Sequence, residues 1–261
     1  MNLLFWNLKQ NSNERIIADI IAEQDIDIAV FAEHLQTDFS TVCNLLSGQY
    51  TPYPGYGGCE KITLIAKTTY TITVKREQTR YTLYSCSIGT STYNLAGIHL
   101  PANPNSNADD RKNVIRDIVY DVCELERKSK CKNTIVIGDF NASPFDSELT
   151  QKDAFNAVIY KDLINNAEYV QSNNKRYRRF YNPMVHYISE DTQTYGSFYY
   201  SGNINSLYWY CYDQILVRKP LVSHIESLQY AKTIGGKKLI KRTKPDASIS
   251  DHLPLIVRIT G

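Results

Sequence analysis

The sequence predicts an α+β fold, and three observations favour this class. Apolar runs of strand length recur from the first residues to the last ones of the chain. Between them lie segments whose apolar residues repeat at helical spacing, most clearly over residues 108–128. No linker rich in Pro, Ser or Gly divides the 261 residues, and a chain of this length can bury one substantial core. We therefore expect a single domain over residues 1–261.

The order of the elements is mixed. In the first helix, Ile16, Ile17, Ile20 and Ile21 form one apolar stripe after a possible N-cap at position 12 or 13. The predicted helices span 12–24, 38–47, 108–128 and 145–152. The predicted strands span 3–6, 26–32, two or three antiparallel segments within 61–99, then 134–137, 211–217, 223–230 and 253–259. Residues 48–60, rich in Gly, Pro and Tyr, indicate a loop.

The run at 134–137 stops abruptly at Gly138, Asp139, Phe140 and Asn141. Asp139 and Asn141 are two positions apart, so both side chains point the same way if the strand geometry persists. An acid and an amide projecting together can bind a cation, a phosphate or an attacking water. Taken alone, the pair is equally typical of an ordinary turn after a strand.

The same arrangement recurs where other apolar runs begin or end. The polar residues at these positions are Asn7, Glu33, His99, Asp213, Asp251 and His252. Each has a structural explanation, such as a helix cap or a surface histidine. Two of the five histidines lie beside strand ends, however, and so many polar groups at such positions favour one active-site rim on a sheet scaffold.

In this order, the motifs resemble those of the endonuclease/exonuclease/phosphatase superfamily. They are Trp6-Asn7, Ala32-Glu33, Gly97-Ile98-His99-Leu100, Gly138-Asp139-Phe140-Asn141, Asp213-Gln214-Ile215-Leu216-Val217 and Ser250-Asp251-His252. The resemblance covers residues 2–259. It implies a four-layer α/β/β/α sandwich, in which helices flank two mostly antiparallel central sheets, and one active site at the top. It also implies a metal-dependent hydrolase that acts on phosphoester bonds.

The resemblance assigns a metal site. Glu33 matches the glutamate that binds the metal ion in the family. A carboxylate that binds through one oxygen suits Mg²⁺, because this ion keeps several of its waters. Mn²⁺ is the other candidate. Asn7 either helps to hold the metal or donates to phosphate oxygens, and Asn141 has the same two options. Asp251 leans toward the metal because its neighbour on an extended segment points the opposite way.

The resemblance also assigns the catalytic groups. Asp139 orients or deprotonates the attacking water, and His252 is the other candidate for the base. Asp213 is the acid that holds the second nitrogen of His252. His99, when protonated, donates to the phosphate or to the leaving oxygen. Glu60 aligns loosely with an acid that orients this histidine in deoxyribonuclease-like members.

Two basic segments bear on the substrate. Residues 175–181 interleave cations with aromatic residues, as a nucleic-acid-binding loop does, so Arg176, Arg178 and Arg179 are candidates for substrate binding. A second basic run covers residues 237–244. Solvated charge on loops is the alternative explanation.

These features lead us to expect a nuclease that acts on DNA or RNA by metal-assisted in-line attack of water. A phosphatase or phosphodiesterase of a small phosphorylated metabolite or lipid headgroup is the alternative, because it needs the same cations. A non-catalytic binding module is disfavoured, because none of the principal rim residues is missing.

Three features of the sequence bear on the cellular compartment of the protein. The first residues form a strand pattern and not a basic segment before a long apolar core, so we expect no signal peptide. No stretch approaches the roughly 18 apolar residues that cross a bilayer. The six cysteines are scattered without metal-site spacing, which is typical of free thiols in a reducing compartment. We therefore expect a cytoplasmic protein. Its net charge of +2 says little about partners.

Overall fold

The computed structural model describes residues 1–102, 108–188, 195–202, 204 and 206–260. No helix within these ranges is long and apolar enough to cross a membrane.

The strands follow the chain from the first residues to the last. They are β1 Asn2–Asn7, β2 Ile28–Ala32, β3 Tyr50–Tyr53, β4 Ile62–Lys67, β5 Thr71–Gln78, β6 Tyr81–Ile88, β7 Ser91–His99, β8 Thr134–Asp139, β9 Ala157–Val158, β10 Tyr169–Ser172, β11 Lys175–Arg178, β12 Phe180–Tyr181, β13 Phe198–Tyr200, β14 Tyr208–Tyr210, β15 Asp213–Val217, β16 Ile225–Tyr230, β17 Thr233–Ile234, β18 Lys237–Lys238, β19 Ile240–Lys241, β20 Lys244–Pro245 and β21 Leu255–Ile259.

The helices confirm the four that the sequence predicts and add short ones. They are α1 Glu14–Glu23, α2 Phe39–Leu45, α3 Ala108–Ser129, α4 Ser147–Thr150, α5 Lys161–Asn166, α6 Met184–Tyr187 and a 3₁₀ helix at Lys219–His224. Asp38 caps α2, because its carboxylate accepts a hydrogen bond from the backbone N–H of Ser40 at 2.9 Å.

Two large sheets form the centre of the molecule. One has six strands in the order β16-β21-β1-β2-β4-β3, and the other has seven in the order β5-β6-β7-β8-β15-β12-β9. The pairs β1–β2, β7–β8 and β9–β12 are parallel, and the remaining pairs in both sheets are antiparallel. This arrangement confirms the predicted fold class.

Helices cover the outer face of each sheet. Ile17 and Ile20 of α1 belong to one apolar core together with buried residues of both sheets, so this core runs from α1 to the space between the sheets. On the far side, Ile115 and Ile118 of α3 pack in a second core against Leu83 and other residues of the seven-stranded sheet. The layers are therefore helix, sheet, sheet and helix.

Two sequence predictions were wrong in detail. The segment 48–60 is not all loop, because β3 pairs with β4 and forms the edge of the six-stranded sheet. The Gly, Pro and Tyr content of the segment indicated a loop, but β3 is an edge strand, and an edge strand tolerates a proline such as Pro52. The segment 61–99 contains four strands, and they belong to different sheets: β4 pairs with β2, whereas β5, β6 and β7 belong to the seven-stranded sheet. Hydrophobic periodicity indicates a strand but not the sheet that it joins.

Candidate active site

Strand directions bring the predicted rim residues to one edge. Because β1 and β2 are parallel, with Asn7 paired to Ala32, Asn7 and the next residue after β2, Glu33, end side by side. In the other sheet, parallel pairing sets His99 opposite Asp139, and antiparallel pairing sets Asp213 opposite Asp139 as well. The pairing of β21 with β1 brings in the segment that carries His252.

The central contacts join the two sheets. Nδ2 of Asn7 donates to Oδ2 of Asp139 at 3.1 Å and to Oε1 of Glu33 at 3.3 Å. Nε2 of His99 lies 3.4 Å from Oε1 of Glu33 and 3.7 Å from Oδ2 of Asp139. Two carboxylates, an amide and an imidazole therefore converge on one point. Asp139 is buried there, whereas the Glu33 side chain retains 31% of its exposure and faces the opening.

Asp213 and His252 form a buried pair. Oδ2 of Asp213 lies 2.8 Å from Nδ1 of His252, which leaves Nε2 of the ring 4.0 Å from Oδ2 of Asp139. Burial alone lowers the pKa of His252, but the charge and hydrogen bond of Asp213, with smaller contributions from Asp139 and Asp251, raise that pKa to about 10. In this environment His252 is an imidazolium at neutral pH.

The other two titratable groups respond mainly to burial. Burial raises the pKa of the Asp139 carboxyl, against the opposing charges of His252 and His99. Burial also lowers the pKa of His99, and the nearby charges of Arg80 and Lys61 lower it further. His99 is therefore neutral near pH 7. Its Nδ1 is buried and has no hydrogen-bond partner among the described residues, so the suggested contact from Glu60 is not formed.

Two backbone positions at the rim are held in the left-handed region. Glu33 has φ +49° and Asn141 has φ +46°, which is unusual for residues other than glycine. The carbonyl of Glu33 accepts a 2.7 Å hydrogen bond from Gln10 N–H. The backbone N–H of Asn141 donates to Oδ1 of Asp139 at 2.9 Å, and its side-chain amide donates to the carbonyl of Leu100 at 2.9 Å. Ten other described residues besides glycine also have positive φ, so the conformation alone does not distinguish the site.

The sequence missed the residues that support this constellation. Ser197 Oγ accepts from the backbone N–H of Asp213 at 3.0 Å, and the Tyr230 hydroxyl donates to the carbonyl of Asp213 at 2.5 Å. The ring of Phe198 packs against that of His252 with 4.9 Å between centroids. Trp6 Nε1 donates to the carbonyl of His252 at 3.0 Å. Of these, Trp6 alone lies in a motif that the sequence singled out.

The sequence matches the Endonuclease/Exonuclease/phosphatase family over residues 4–252. The chain belongs to this family. It is therefore a hydrolase that acts on phosphoester bonds, as a nuclease or a phosphatase, and the family uses divalent metals. No curated protein matches the sequence significantly.

Solved structures show the same fold at low sequence identity. TDP2 from C. elegans has a TM-score of 0.61 and 14% identity over 100% of this chain and 75% of that one. The endonuclease domain of TRAS1, a telomere-specific non-LTR retrotransposon, has a TM-score of 0.57 and 11% identity over 99% and 97% of the two chains. The 3′ phosphatase NExo from Neisseria, bound to a product DNA hairpin, has a TM-score of 0.53 and 12% identity, with both chains covered fully.

The donor set fits the divalent cation that the family implies. The carboxylates of Glu33 and Asp139 are bridged only by the neutral amide of Asn7 and by His99, whose pKa is lowered. Oδ1 of Asp213 is also buried, without a partner among the described residues. Ligand atoms of Asp139, Asp213 and His252 lie within 4.8 Å of one another, but the His252 ring is already bound to Asp213. An oxygen-rich set with one open carboxylate suits a hard, hydrated ion.

Asp251 lies at the edge of this set. Its Oδ2 forms an ion pair with Nζ of Lys9 at 3.3 Å, and both side chains are partly exposed. The backbone N–H of Lys9 donates to Oδ1 of Asn7 at 3.0 Å. Asp251 is thus connected to the site through Lys9.

The arginines predicted to bind substrate are not brought to the rim. The Arg178 side chain is only 8% exposed and pairs with Glu126 and Glu168 at 2.7 and 2.6 Å, and Arg179 donates to two backbone carbonyls. Arg176 stacks on Tyr169 with 4.3 Å between the guanidinium and the ring centroid. This segment adjoins β12, which pairs with β15 at Val217, the end of β15 away from Asp213. The four residue steps from Asp213 to Val217 along β15 separate this segment from the catalytic groups by roughly 13 Å.

An apolar cavity lies next to the rim. It has a volume of about 280 Å³ and is lined by Pro144, Phe145, Leu207, Trp209 and other residues. Phe145 and Leu207 are mostly exposed. The β13–β14 hairpin that forms part of this wall also carries Phe198, which packs on His252. Aromatic surface therefore borders the site on the side of His252.

Proposed function

We propose that this chain is a divalent-metal-dependent nuclease that hydrolyses phosphodiester bonds in DNA or RNA, with residues 1–261 acting as one catalytic domain. The observation that carries the proposal is the convergence of Asn7, Glu33, His99, Asp139 and the Asp213–His252 pair, contributed by both sheets. The location of the protein in the cytoplasm stays a prediction from the sequence.

Mg²⁺ is the proposed ion, with Mn²⁺ as a substitute. Glu33 would bind the ion directly through its carboxylate. Asn7 would contribute its amide as a further ligand, and Asp251 would contribute its carboxylate from the edge of the site. The ion, when bound, neutralises phosphate charge and polarises the scissile bond. The chain itself supplies the rest of the chemistry. Glu33 suits this task because its carboxylate is the open one at the rim.

Asp139 and His252 divide the proton chemistry. Asp139 is the proposed base that orients and deprotonates the attacking water, because the Asn141 N–H and the Asn7 amide hold both of its oxygens in place. His252, kept protonated by Asp213, donates from Nε2 to a phosphate oxygen and stabilises the charge that develops there. His99 and Asn141 would contact the other phosphate oxygens.

The surface beside His252 favours a nucleic acid over a small metabolite. Exposed aromatic residues offer faces on which bases stack, and stacking contributes about 1–3 kcal/mol per base. Two similar structures agree with this substrate class: NExo is bound to a product DNA hairpin, and TRAS1 is a telomere-specific retrotransposon. Removal of a terminal phosphate from a nucleic acid is the second candidate, since NExo is described as a 3′ phosphatase.

The test uses purified protein with supercoiled plasmid, single-stranded oligonucleotides, 3′- and 5′-phosphorylated oligonucleotides and bis(p-nitrophenyl) phosphate, each with Mg²⁺, Mn²⁺ or EDTA. We expect cleavage that requires metal and falls at least about 100-fold in Glu33→Gln. Glu226→Gln, an exposed acid on β16, is the matched control and should keep full activity. Release of inorganic phosphate alone would assign the phosphatase. Metal-dependent hydrolysis of none of these compounds would refute the proposed function.

A further inference from the structure

We propose that Lys61 and Arg80 form a second phosphate-binding subsite beside His99, which takes a phosphate adjacent to the scissile one. This inference rests on the proposed function and specifies its substrate: a strand with at least two phosphates, or one with a terminal phosphate next to the cleaved bond.

Arg80 is placed by the pairing of β6 with β7. The register pairs Tyr81 with Ile98, and the backbone N–H of His99 donates to the carbonyl of Arg80 at 2.9 Å. Arg80 is therefore the cross-strand neighbour of His99. Directly opposed residues of antiparallel strands project to the same face, so Arg80 and His99 share one side of the sheet.

Lys61 reaches the same place from the other sheet. It precedes β4, whose first residue, Ile62, pairs with Ala32 at the end of β2. Lys61 precedes Ile62 and Glu33 follows Ala32, so both residues flank the same Ile62–Ala32 pair at the end of the sheet. Lys61 and Arg80 both lie within electrostatic range of His99.

Neither cation pairs with an acidic side chain in the part of the chain that the structure describes. Other basic side chains near the rim are in ion pairs: Lys9 with Asp251, and Arg111 with Glu148. In contrast, no described carboxylate forms an ion pair with Lys61 or Arg80, and both side chains are partly exposed. Unpaired cations next to a phosphoesterase site are available to an anionic ligand.

The position of the cations gives the substrate a direction. Aromatic surface borders the site on the side of His252, and the two cations border it on the side of His99. The scissile phosphate lies between these histidines, which both approach Asp139. A strand crossing the site can therefore stack a base on one side and place its next phosphate on the other. A single phosphoester without a second phosphate fills only the central position.

The experiment removes each charge and compares substrates. The variants are Lys61→Gln, Arg80→Gln and the double variant. The matched controls, Lys175→Gln and Arg176→Gln, remove exposed charges on the separate two-stranded β10–β11 sheet. Substrates are bis(p-nitrophenyl) phosphate, the dinucleotide dTpT, and the same dinucleotide carrying a 5′- or a 3′-terminal phosphate. Binding of an uncleaved single-stranded oligonucleotide in EDTA is measured by fluorescence anisotropy over a range of salt concentrations.

We expect Arg80→Gln to lower kcat/KM about 10- to 100-fold on dinucleotides that carry the terminal phosphate, the loss expected for one charge-assisted contact. Activity on bis(p-nitrophenyl) phosphate and on dTpT should change less than about twofold. If Arg80→Gln lowers kcat/KM only for the dinucleotide with the 5′-phosphate, the subsite binds the phosphate on the 5′ side of the cleaved bond. If it does so only for the 3′-phosphate, the subsite binds the phosphate on the 3′ side. The oligonucleotide Kd should rise, and the slope of log Kd against log salt should fall by about 1 in Arg80→Gln and not in the controls.

Equal losses on all substrates, or no loss on any, would overturn the subsite. If the wild type cleaves nothing, the proposed function fails, but the anisotropy measurement still decides the subsite. Weaker binding in Arg80→Gln than in Arg176→Gln would then support it, and equal binding would refute it.

Discussion

His252 shows how one buried carboxylate sets the chemistry of the site at the scale of a residue. Its Nδ1 is held at 2.8 Å by Asp213, and its pKa is raised to about 10. This value lies above the unfolded-state value of about 6.5. The pair therefore stabilises the folded protein fully below about pH 6.5, and that contribution is lost as the pH rises through about 10.

We predict that Asp213→Asn lowers the pKa of His252 by about 1–3, because the charged partner that favours the imidazolium is gone. The pKa is read from ¹⁵N NMR of the imidazole in EDTA. Asp251→Asn, which removes the neighbouring and more exposed acid, should shift it less. The Tm difference between wild type and Asp213→Asn should shrink as the pH rises toward 10. An unchanged pKa in Asp213→Asn would contradict this account.

The sequence predicted the rim residues because each stands at a strand end, where a change from apolar to polar residues is visible. Ser197 and Phe198 escaped prediction for the opposite reason. They reach the site through a hairpin that meets His252 by a single bridge, and nothing local in the sequence signals that contact. Arg178 was predicted to bind substrate but does not reach the rim. The basic segment shows that Arg178 is charged, but it does not show that Glu126 and Glu168 bind that charge.

At the scale of elements, β8 determines where Asp139 stands. Gly138 precedes Asp139, and a Cβ at Gly138 would lie 2.1 Å from the carbonyl oxygen of Ile98 on β7. The glycine therefore permits the close approach of β7 and β8 that sets His99 opposite Asp139.

We predict that Gly138→Ala destabilises the protein by about 3 kcal/mol, near the upper end for overpacking, because the obstacle is backbone and cannot rotate away. Urea unfolding measures the loss. Gly48→Ala is the comparison: it has open space but φ +69°, so only the left-handed strain of about 1–2 kcal/mol applies. An equal or smaller loss in Gly138→Ala would show that β7 and β8 can separate without penalty.

The far end of the same sheet depends on a buried ion network. Glu126 on α3 accepts from Arg218 at 2.8 Å and from Arg178 at 2.7 Å, and Arg218 is fully buried. We predict that Glu126→Gln lowers the free energy of unfolding by about 3–5 kcal/mol, because it leaves Arg218 charged and under-paired. Chemical denaturation measures this loss. Glu124→Gln removes a partly exposed acid two residues away and should leave the Tm unchanged. Similar effects of the two variants would mean that the buried network contributes no more than a surface pair.

The helices and most strands were predictable because their periodicity is local. The assignment of strands to two sheets was not. β4 and β5 are adjacent in sequence and have similar composition, yet they belong to different sheets. That choice depends on which faces α1 and α3 cover, and so on contacts between residues far apart in the chain.

At the scale of the molecule, the site lies where the two sheets meet. Asn7 and Glu33 belong to the six-stranded sheet, and His99, Asp139 and Asp213 belong to the seven-stranded one. Without a cation, two carboxylates approach each other across this junction. The arrangement that suits metal binding is thus itself unfavourable, as is common where function competes with stability.

We predict that Mg²⁺ stabilises the whole fold, since an ion held by residues from both sheets binds the folded state and not the unfolded chain. At a concentration 100 times its Kd, the gain is about 2.7 kcal/mol. For a chain of this size this corresponds to a rise in Tm of about 5–10 °C, measured by scanning calorimetry with Mg²⁺ and with EDTA.

Glu33→Gln should abolish this shift. In EDTA its Tm should equal or exceed that of the wild type, because the variant removes the repulsion between Glu33 and Asp139 while keeping the side-chain shape. Glu226→Gln should respond to Mg²⁺ as the wild type does. A shift of equal size in Glu33→Gln would place the stabilising ion elsewhere. A lower Tm of Glu33→Gln in EDTA would show that Glu33 contributes to stability without metal, through its contacts with Asn7 and His99.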